Sequence, residues 1–301
     1  MQLFYALRTD ESLTQRMIQK RYWDSIDMSY EVLIYNIYIV LNIIKIAQED
    51  FTKRNKKHLP TDADKIFTAK IYENNLIDRL IKSKELQEFF EKKEFNSSSD
   101  IDHLKTIYSD FSKSAFYIDY LAKESSDQDH VDILLELYRY CRKSELYNDI
   151  IGDKYLNWLD DKSLVIGAMK KVIKALPSSD IKFYEEFYPD DETIKEYGEE
   201  LLNQTYNNDK QLLEIIKPIL SNWDPDRLAI LDMALLKMAA CEMLNFSSIP
   251  AKVTINEYVE VAKAYSTEKS KEFVNGVLDN LMKKLQSEDK LNKKGRGLKE
   301  D

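Results

Sequence analysis

The sequence predicts an all-α protein, and three observations carry that expectation. Neither glycine nor proline occurs in residues 1–59 or 61–151, so the first half of the chain lacks the punctuation that strands and hairpins need. Near the C-terminus, apolar residues recur at helical spacing, as in Val274, Val277, Leu278, Leu281 and Leu285. Within residues 228–244 the only charges are Asp232, Lys237 and Glu242, and their five-residue spacing sets them about 140° apart around a helix. A helix without a polar face is buried on several sides, so this stretch is expected to be the central pillar of a domain, with charges that need partners.

Taken in order, residues 2–7 read as helix interior with no capping residue before them. Residues 30–47 are rich in Ile and Val but too long without a turn residue for a strand. Glu31, Asn36, Asn42 and Lys45 interrupt them too often for a membrane span, so a buried helix is expected. Four more helices are expected at 64–93, 100–123, 127–147 and 161–175, with Asp100, Asp127 and Asp161 as N-caps and joints at 96–99, Ser125-Ser126 and Gly152. Pro177-Ser178-Ser179-Asp180 and Pro189-Asp190-Asp191 mark a change of region. Asp224 then reads as an N-cap with Pro225 in the first helical position and Trp223 folding over Leu228, which starts the pillar helix. A second helix follows Pro250, and Ser266-Thr267 announce a third. Gly276 lies inside that third helix, where glycine costs roughly 1 kcal/mol against alanine, so close approach by another backbone or a ligand is expected there. No internal repeat at a fixed period occurs.

Composition is that of a soluble globular chain, 44% hydrophobic and 32% charged. Residues 222–301 carry thirteen basic and thirteen acidic side chains, so the whole excess of −9 lies upstream. Lys290, Lys293, Lys294, Arg296 and Lys299 make the tail locally basic, which is either plain solvation or a sequence-independent hold on RNA. Cys141 and Cys241 read as small core residues in a reducing compartment, and no secretory leader is recognisable. His58, His103 and His130 are isolated, so no metal and no cofactor are expected. The carboxylates at 190–192 and at Asp224 and Asp226 precede helices, where capping and the helix dipole account for them. With no glycine-rich phosphate loop, nucleophile elbow or Cys-His pair, no enzyme is expected. Glu242, Asn256, Glu257 and Asn275 are polar residues in apolar helices and are expected to be buried hydrogen-bonding ties. Phe273 lies about 95° off the core stripe of its helix, with Lys269, Gly276 and Asn280 on its own side within about 60° of one another. Lys283 and Lys284 flank that side. Two readings stand: an edge-of-core phenylalanine, or an aromatic platform for single-stranded RNA.

Three runs then carry a family resemblance. They are Asp-Arg-Leu-Ala-Ile-Leu-Asp-Met-Ala-Leu-Leu-Lys-Met-Ala-Ala-Cys-Glu-Met-Leu at 226–244, Ile-Pro-Ala-Lys-Val-Thr-Ile-Asn-Glu-Tyr-Val-Glu-Val-Ala-Lys at 249–263, and Phe-Val-Asn-Gly-Val-Leu-Asp at 273–279. In this order and spacing they resemble the C-terminal half of the NusB transcription antitermination factors. Residues 197–218 are similar to the preceding helices of that family, and Met-Gln-Leu-Phe-Tyr-Ala-Leu at 1–7 resembles the end of its first helix. Together these cover roughly 115 of the 301 residues, split by a long middle region that short family members lack.

The resemblance implies NusB-like helical bundles with a long inserted helical region. The first NusB-like helix would lie in 1–23, the insertion in 24–190, the NusB-like core in 191–288 and a basic flexible tail in 289–301. Residues 192–286 should pack round the helix at 226–245, and the first helix should pack on the inserted middle. The implied function is a cytoplasmic RNA- and protein-binding antitermination factor, with no membrane and no catalysis. It would act with NusE, which is also a small-subunit ribosomal protein, on boxA-type single-stranded RNA of ribosomal RNA operons, in the RNA polymerase antitermination complex. Carried over by position, Lys269, Lys271 and Phe273 would face RNA with Gln2 at the other side of the site, and Tyr5 and Asp232 would face NusE. Lys269 stands where family members carry an acidic residue and Glu272 where a basic one occurs, so the local charge pattern is rearranged. Family members also carry basic turns before the first helix that belong to the RNA surface; here the chain starts inside that helix, either at an internal methionine, the favoured expectation, or because the arm is lost. The alternative is a helical scaffold that keeps NusE binding but not RNA binding. Some RNA cytosine methyltransferases carry a NusB-like domain, but this chain has no Rossmann-like glycine loop to go with that reading.

Overall fold

The computed structural model describes residues 1–59, 61, 64, 67–97, 101–178, 181–220 and 228–294, and among these no strand occurs. In chain order the helices are α1 (Gln2–Thr9), α2 (Gln15–Asn55), α3 (Asn75–Lys82), α4 (Lys84–Lys92), α5 (Ile101–Phe111), α6 (Ala115–Ala122), α7 (Asp127–Cys141), α8 (Glu145–Lys154), α9 (Trp158–Ala175) and α10 (Phe183–Phe187). A π-helical stretch, Glu192–Glu199, leads into α11 (Glu200–Asn207). Then come α12 (Asp209–Ile216), α13 (Ile230–Asn245), α14 (Ala251–Tyr265) and α15 (Ser270–Ser287). The chain divides into two compact units: unit 1, Met1–Ser25 with Asp190–Asp301, and unit 2, Ile26–Pro189.

Unit 2 gathers its core on the 26–55 part of α2. Val32, Ile34, Tyr35, Ile39, Ile43 and Ala47 are all fully buried. This helix is long and apolar enough to cross a membrane, but 72% of that apolar window is buried inside the protein, as a core helix requires. Its interrupting Asn36 is satisfied: Nδ2 donates to the Val32 carbonyl at 2.8 Å, and Oδ1 accepts from the Tyr147 hydroxyl at 2.7 Å. Phe95 closes the core with its ring against Tyr35, Tyr38, Phe89 and Phe90.

The long middle helices predicted from the sequence are cut into shorter ones. Ser83 ends α3 and its hydroxyl accepts from the Leu86 amide to start α4, and Ser114 does the same for α6 through the Tyr117 amide. The helix expected at 64–93 is interrupted: Asp64 is helical, residues 67–74 are not, and α3 starts at Asn75, where Asn74 accepts from the amides of Leu76 and Ile77. Asp127 is the first helical residue rather than the cap; Ser126 caps α7 in a reciprocal box with Asp129. Asp161 lies in the first turn of α9, whose N-cap is Asn157, and accepts from Ser29 and Asn157 side chains at 2.6 and 2.5 Å. Asp100 lies outside the described residues.

In unit 1, α13 is the pillar that the sequence predicts. Helices α1, α11, α12, α14 and α15 all pack on it, and Leu235, Leu236, Ala239, Ala240, Cys241 and Met243 are buried. The expected cap at Asp224 and staple at Trp223 fall outside the described residues, but Leu228 and Ala229 are not helical, so the helix begins at Ile230 and not near Pro225. Glu242 is the buried tie expected of it: its carboxylate accepts from the hydroxyls of Tyr197 at 2.6 Å, Thr254 at 2.7 Å and Tyr258 at 3.3 Å. Asn256, Glu257 and Asn275 are exposed instead, because the inward stripe of α14 is Thr254, Ile255, Tyr258, Val259 and Ala262, and that of α15 is Val274, Val277, Leu278 and Leu281. Helix α1 packs on α13, and its Leu3, Phe4, Ala6 and Leu7 lie against Leu13, Ile18 and Leu202 of the same unit. In the tail, Lys293 donates its ammonium to the Glu242 and Phe246 carbonyls at the end of α13, and the Lys294 amide bonds to the Ser247 carbonyl at 2.8 Å.

Gly198 is required by a close approach. The Tyr22 hydroxyl donates to the Ile194 carbonyl at 2.6 Å inside the π-helical stretch, and a Cβ at 198 would overlap that hydroxyl.

Candidate nucleic-acid interface

The start of α15 is built by a turn of small hydroxyl residues, Ser266, Thr267 and Ser270. The Ser270 amide donates to the Thr267 carbonyl at 2.9 Å, and the Thr267 amide donates to Ser270 Oγ at 3.2 Å. Beneath the turn lies Asp232 from the first turn of α13, buried to 6% exposure. Its Oδ1 accepts from Ser266 Oγ at 2.6 Å and its Oδ2 from Ser270 Oγ at 2.8 Å. Both carboxylate oxygens are thus engaged within the chain. Burying a carboxylate is costly unless donors reach it, and the N-terminal ends of α13 and α15 add favourable dipoles.

Above this anchor the turn presents the residues singled out from the sequence. Lys269, the N-cap residue of α15, and Lys271 are exposed, and Phe273 is half-buried with part of its ring against the unit 1 core. Phe273 thus sits at the edge of the core, the first of the two readings left open above. Gly276 is exposed, and nothing lies within 4 Å of where a Cβ would stand, so no backbone of the described chain requires glycine there. Asn280 and Lys283 continue the exposed stripe down the helix, Lys283 paired with Asp279 at 2.6 Å. Gln2 and Tyr5 are exposed on α1, which packs on α13 as α15 does.

A groove of about 940 Å³ runs between α1, the α11–α12 turn and the start of α13. Phe4, Leu7, Leu228, Ile230 and Met233 give it an apolar floor, and Arg8, Asp209, Lys210 and Lys237 give it charged edges. Sequence reasoning missed both this groove and the hydroxyl anchor of Asp232. An acidic residue in the first turn of an otherwise apolar helix was the available signal for the anchor. Among the described residues no group of three or more His, Cys, Asp or Glu side chains is arranged to hold a metal ion.

The described helices place the chain among all-α proteins, with unit 1 built round one buried central helix. Residues 162–283 match the NusB family. The chain is 40% identical over 109 residues to a Transcription antitermination protein NusB of Salinibacter ruber, a match covering 36% of this chain and 68% of that protein. It is 40% identical over 104 residues to one from Chloroherpeton thalassium, covering 35% of this chain and 49% of that protein. It is 39% identical over 90 residues to one from Natranaerobius thermophilus, covering 30% and 65%. The chain belongs to the NusB family. No solved structure matches it.

Proposed function

We propose that this protein is a cytoplasmic, non-catalytic transcription antitermination factor that binds boxA-type single-stranded RNA at the start of α15, together with NusE, in the RNA polymerase antitermination complex of ribosomal RNA operons. The observation that carries the reading is the placement of Phe273: a half-buried ring at the start of a helix, with exposed Lys269 and Lys271 beside it and an open Gly276 one turn on. An aromatic face stacks on bases irrespective of their edges, lysines track the phosphates, and a residue without a side chain leaves room for the strand. Gln2 extends the surface on α1, and the exposure of Tyr5 suits a contact with NusE. Asp232 takes part from below, through the turn it holds. Unit 2 is in this reading the insertion into a NusB-like frame.

The test is affinity for boxA and scrambled RNA over a salt series, with and without NusE. Phe273→Ala should weaken binding by on the order of 10- to 100-fold, the loss of one stacked base, with helicity intact. Lys269→Ala should weaken RNA of any sequence alike and lower the salt slope by about 0.7, the single-strand value per phosphate contact. The net-acidic body repels RNA, so binding alone should be weak and binding with NusE tighter. Unchanged affinity in Phe273→Ala would reduce that ring to packing. NusE binding without any RNA binding would favour the scaffold alternative.

A further inference from the structure

We propose that Asp232 is a positioning residue for RNA binding: through Ser266 and Ser270 it fixes the turn that carries Lys269, Lys271 and Phe273, while itself touching neither RNA nor a protein partner. This inference rests on the RNA reading above.

The start of α15 is placed against its own electrostatics. Lys269 at the N-cap and Lys271 in the first turn put two cations at the positive end of the helix dipole, which disfavours the helix there. Lys269 supplies no side-chain cap, so the usual neutral acceptor is missing too. Asp232 answers both deficits from outside the helix. It brings a negative charge beneath the first residue of α15, and it orients the Ser270 hydroxyl, which is 2% exposed as a residue. The directions of the bonds follow from that carboxylate, and they leave the 3.0 Å approach of Ser266 Oγ to Ser270 Oγ without a proton between them. An ionised carboxylate only accepts, so Ser266 and Ser270 both donate to it at 2.6 and 2.8 Å. Ser270 has then used its one proton, so it accepts from the Thr267 amide at 3.2 Å and from the Thr267 hydroxyl at 2.8 Å. One charge on α13 thus sets the geometry of 266–270, and Lys269 and Lys271 are the immediate chain neighbours of the residue it holds.

An amide at 232 can accept where the carboxylate did but must also donate, and Ser266 and Ser270 would then meet a donor in place of one acceptor. The turn would lose its single arrangement while the pillar helix, buried by its apolar sides, stays folded. Asp232→Asn should therefore weaken boxA RNA binding by about tenfold, the effect of one hydrogen bond to a charged group. It should speed amide hydrogen exchange at residues 266–273 and leave exchange in the middle of α13 unchanged. Ser270→Ala should do the same, and Ser270→Thr, which keeps the hydroxyl, should recover most of the affinity.

A double-mutant cycle separates positioning from general destabilisation. If Asp232 acts through the platform, Asp232→Asn should cost less than about twofold in a Phe273→Ala background, where the stacked base is already lost. An equal loss in both backgrounds, or an unchanged affinity and exchange in Asp232→Asn while Phe273→Ala is impaired, would overturn the positioning role and leave the RNA reading standing. If Phe273→Ala and Lys269→Ala both bind RNA as the wild type does, the RNA reading itself falls and this inference with it.

Discussion

Units 1 and 2 are both all-helical, yet they fill their interiors with different chemistry. Unit 2 is packed with rings: Tyr35, Tyr38, Phe90, Phe95, Tyr117, Tyr138, Tyr147 and Trp158 are all buried. Unit 1 surrounds α13 with small and branched residues, and Ala234, Ala239, Ala240, Ala251 and Ala262 let helix backbones come close. The buried carboxylates differ as well. Asp64 of unit 2 is held by cations, Lys57 at 2.9 Å and Arg54 at 3.3 Å, beside the Thr61 hydroxyl at 2.8 Å. Glu242 and Asp232 of unit 1 are held by hydroxyls. A lysine has a long flexible stem and follows its partner, whereas a Ser or Thr hydroxyl, or one on a packed and rigid tyrosine ring, must stand in one place to donate. The comparison teaches that unit 1 is built for exact register between its helices. Unit 2 is built for volume.

The comparison can be broken first in unit 2. Trp158→Ala removes a side chain buried to 1% exposure and should cost about 3–5 kcal/mol, as such core truncations do. Chemical denaturation of the full chain measures it, and a loss below about 1 kcal/mol would mean that the rings of unit 2 are not its main support.

Register in unit 1 is tested at Glu242. Replacing it by Leu leaves the hydroxyls of Tyr197, Thr254 and Tyr258 without this acceptor, and should cost about 3 kcal/mol despite adding apolar surface. Gains in stability, as seen when some buried polar groups are made apolar, would show that the hydroxyl network contributes nothing to folding.

A smaller effect is expected at Gly198. Alanine there displaces the Tyr22 hydroxyl from the Ile194 carbonyl and should cost about 1–2 kcal/mol. Adding Tyr22→Phe, which removes the clashing atom, should make the double variant less destabilised than the two single losses together. Simple additivity would put the strain elsewhere.

The smallest effect is a pH dependence of unit 2. Lys123, and then Ser126, hold the Asp129 carboxyl well below the usual carboxylate range. A group whose folded-state pKa is depressed adds stability above its unfolded pKa, and that stability is lost as pH falls through the folded value. Unfolding followed from neutral to acid pH should therefore show a shallower acid loss for Asp129→Asn than for the wild type. Identical slopes would assign the acid sensitivity to other carboxylates.

The pillar helix was legible in the sequence because a helix without a polar face has only one place to go, and the role of Glu242 followed from it. Helix breaks in unit 2 were not legible. Ser83 and Ser114 interrupt a helical pattern without disturbing its apolar spacing, and a serine hydroxyl that caps the next helix looks the same in sequence as one facing water. Asn256 and Glu257 stand in an apolar helix but fall off the inward stripe of α14, which only the spacing of Thr254, Ile255, Tyr258 and Val259 reveals.

By itself the sequence determined the all-α class, the central helix and the stretch that carries the candidate interface. These follow from local periodicity and from residues near one another in the chain. Only the tertiary structure decided what Asp232 does. Its partners Ser266 and Ser270 lie 34 and 38 residues away, across the whole of α14. A carboxylate's partner is set by which helix ends meet, and helix ends meet only after the apolar faces between them have packed.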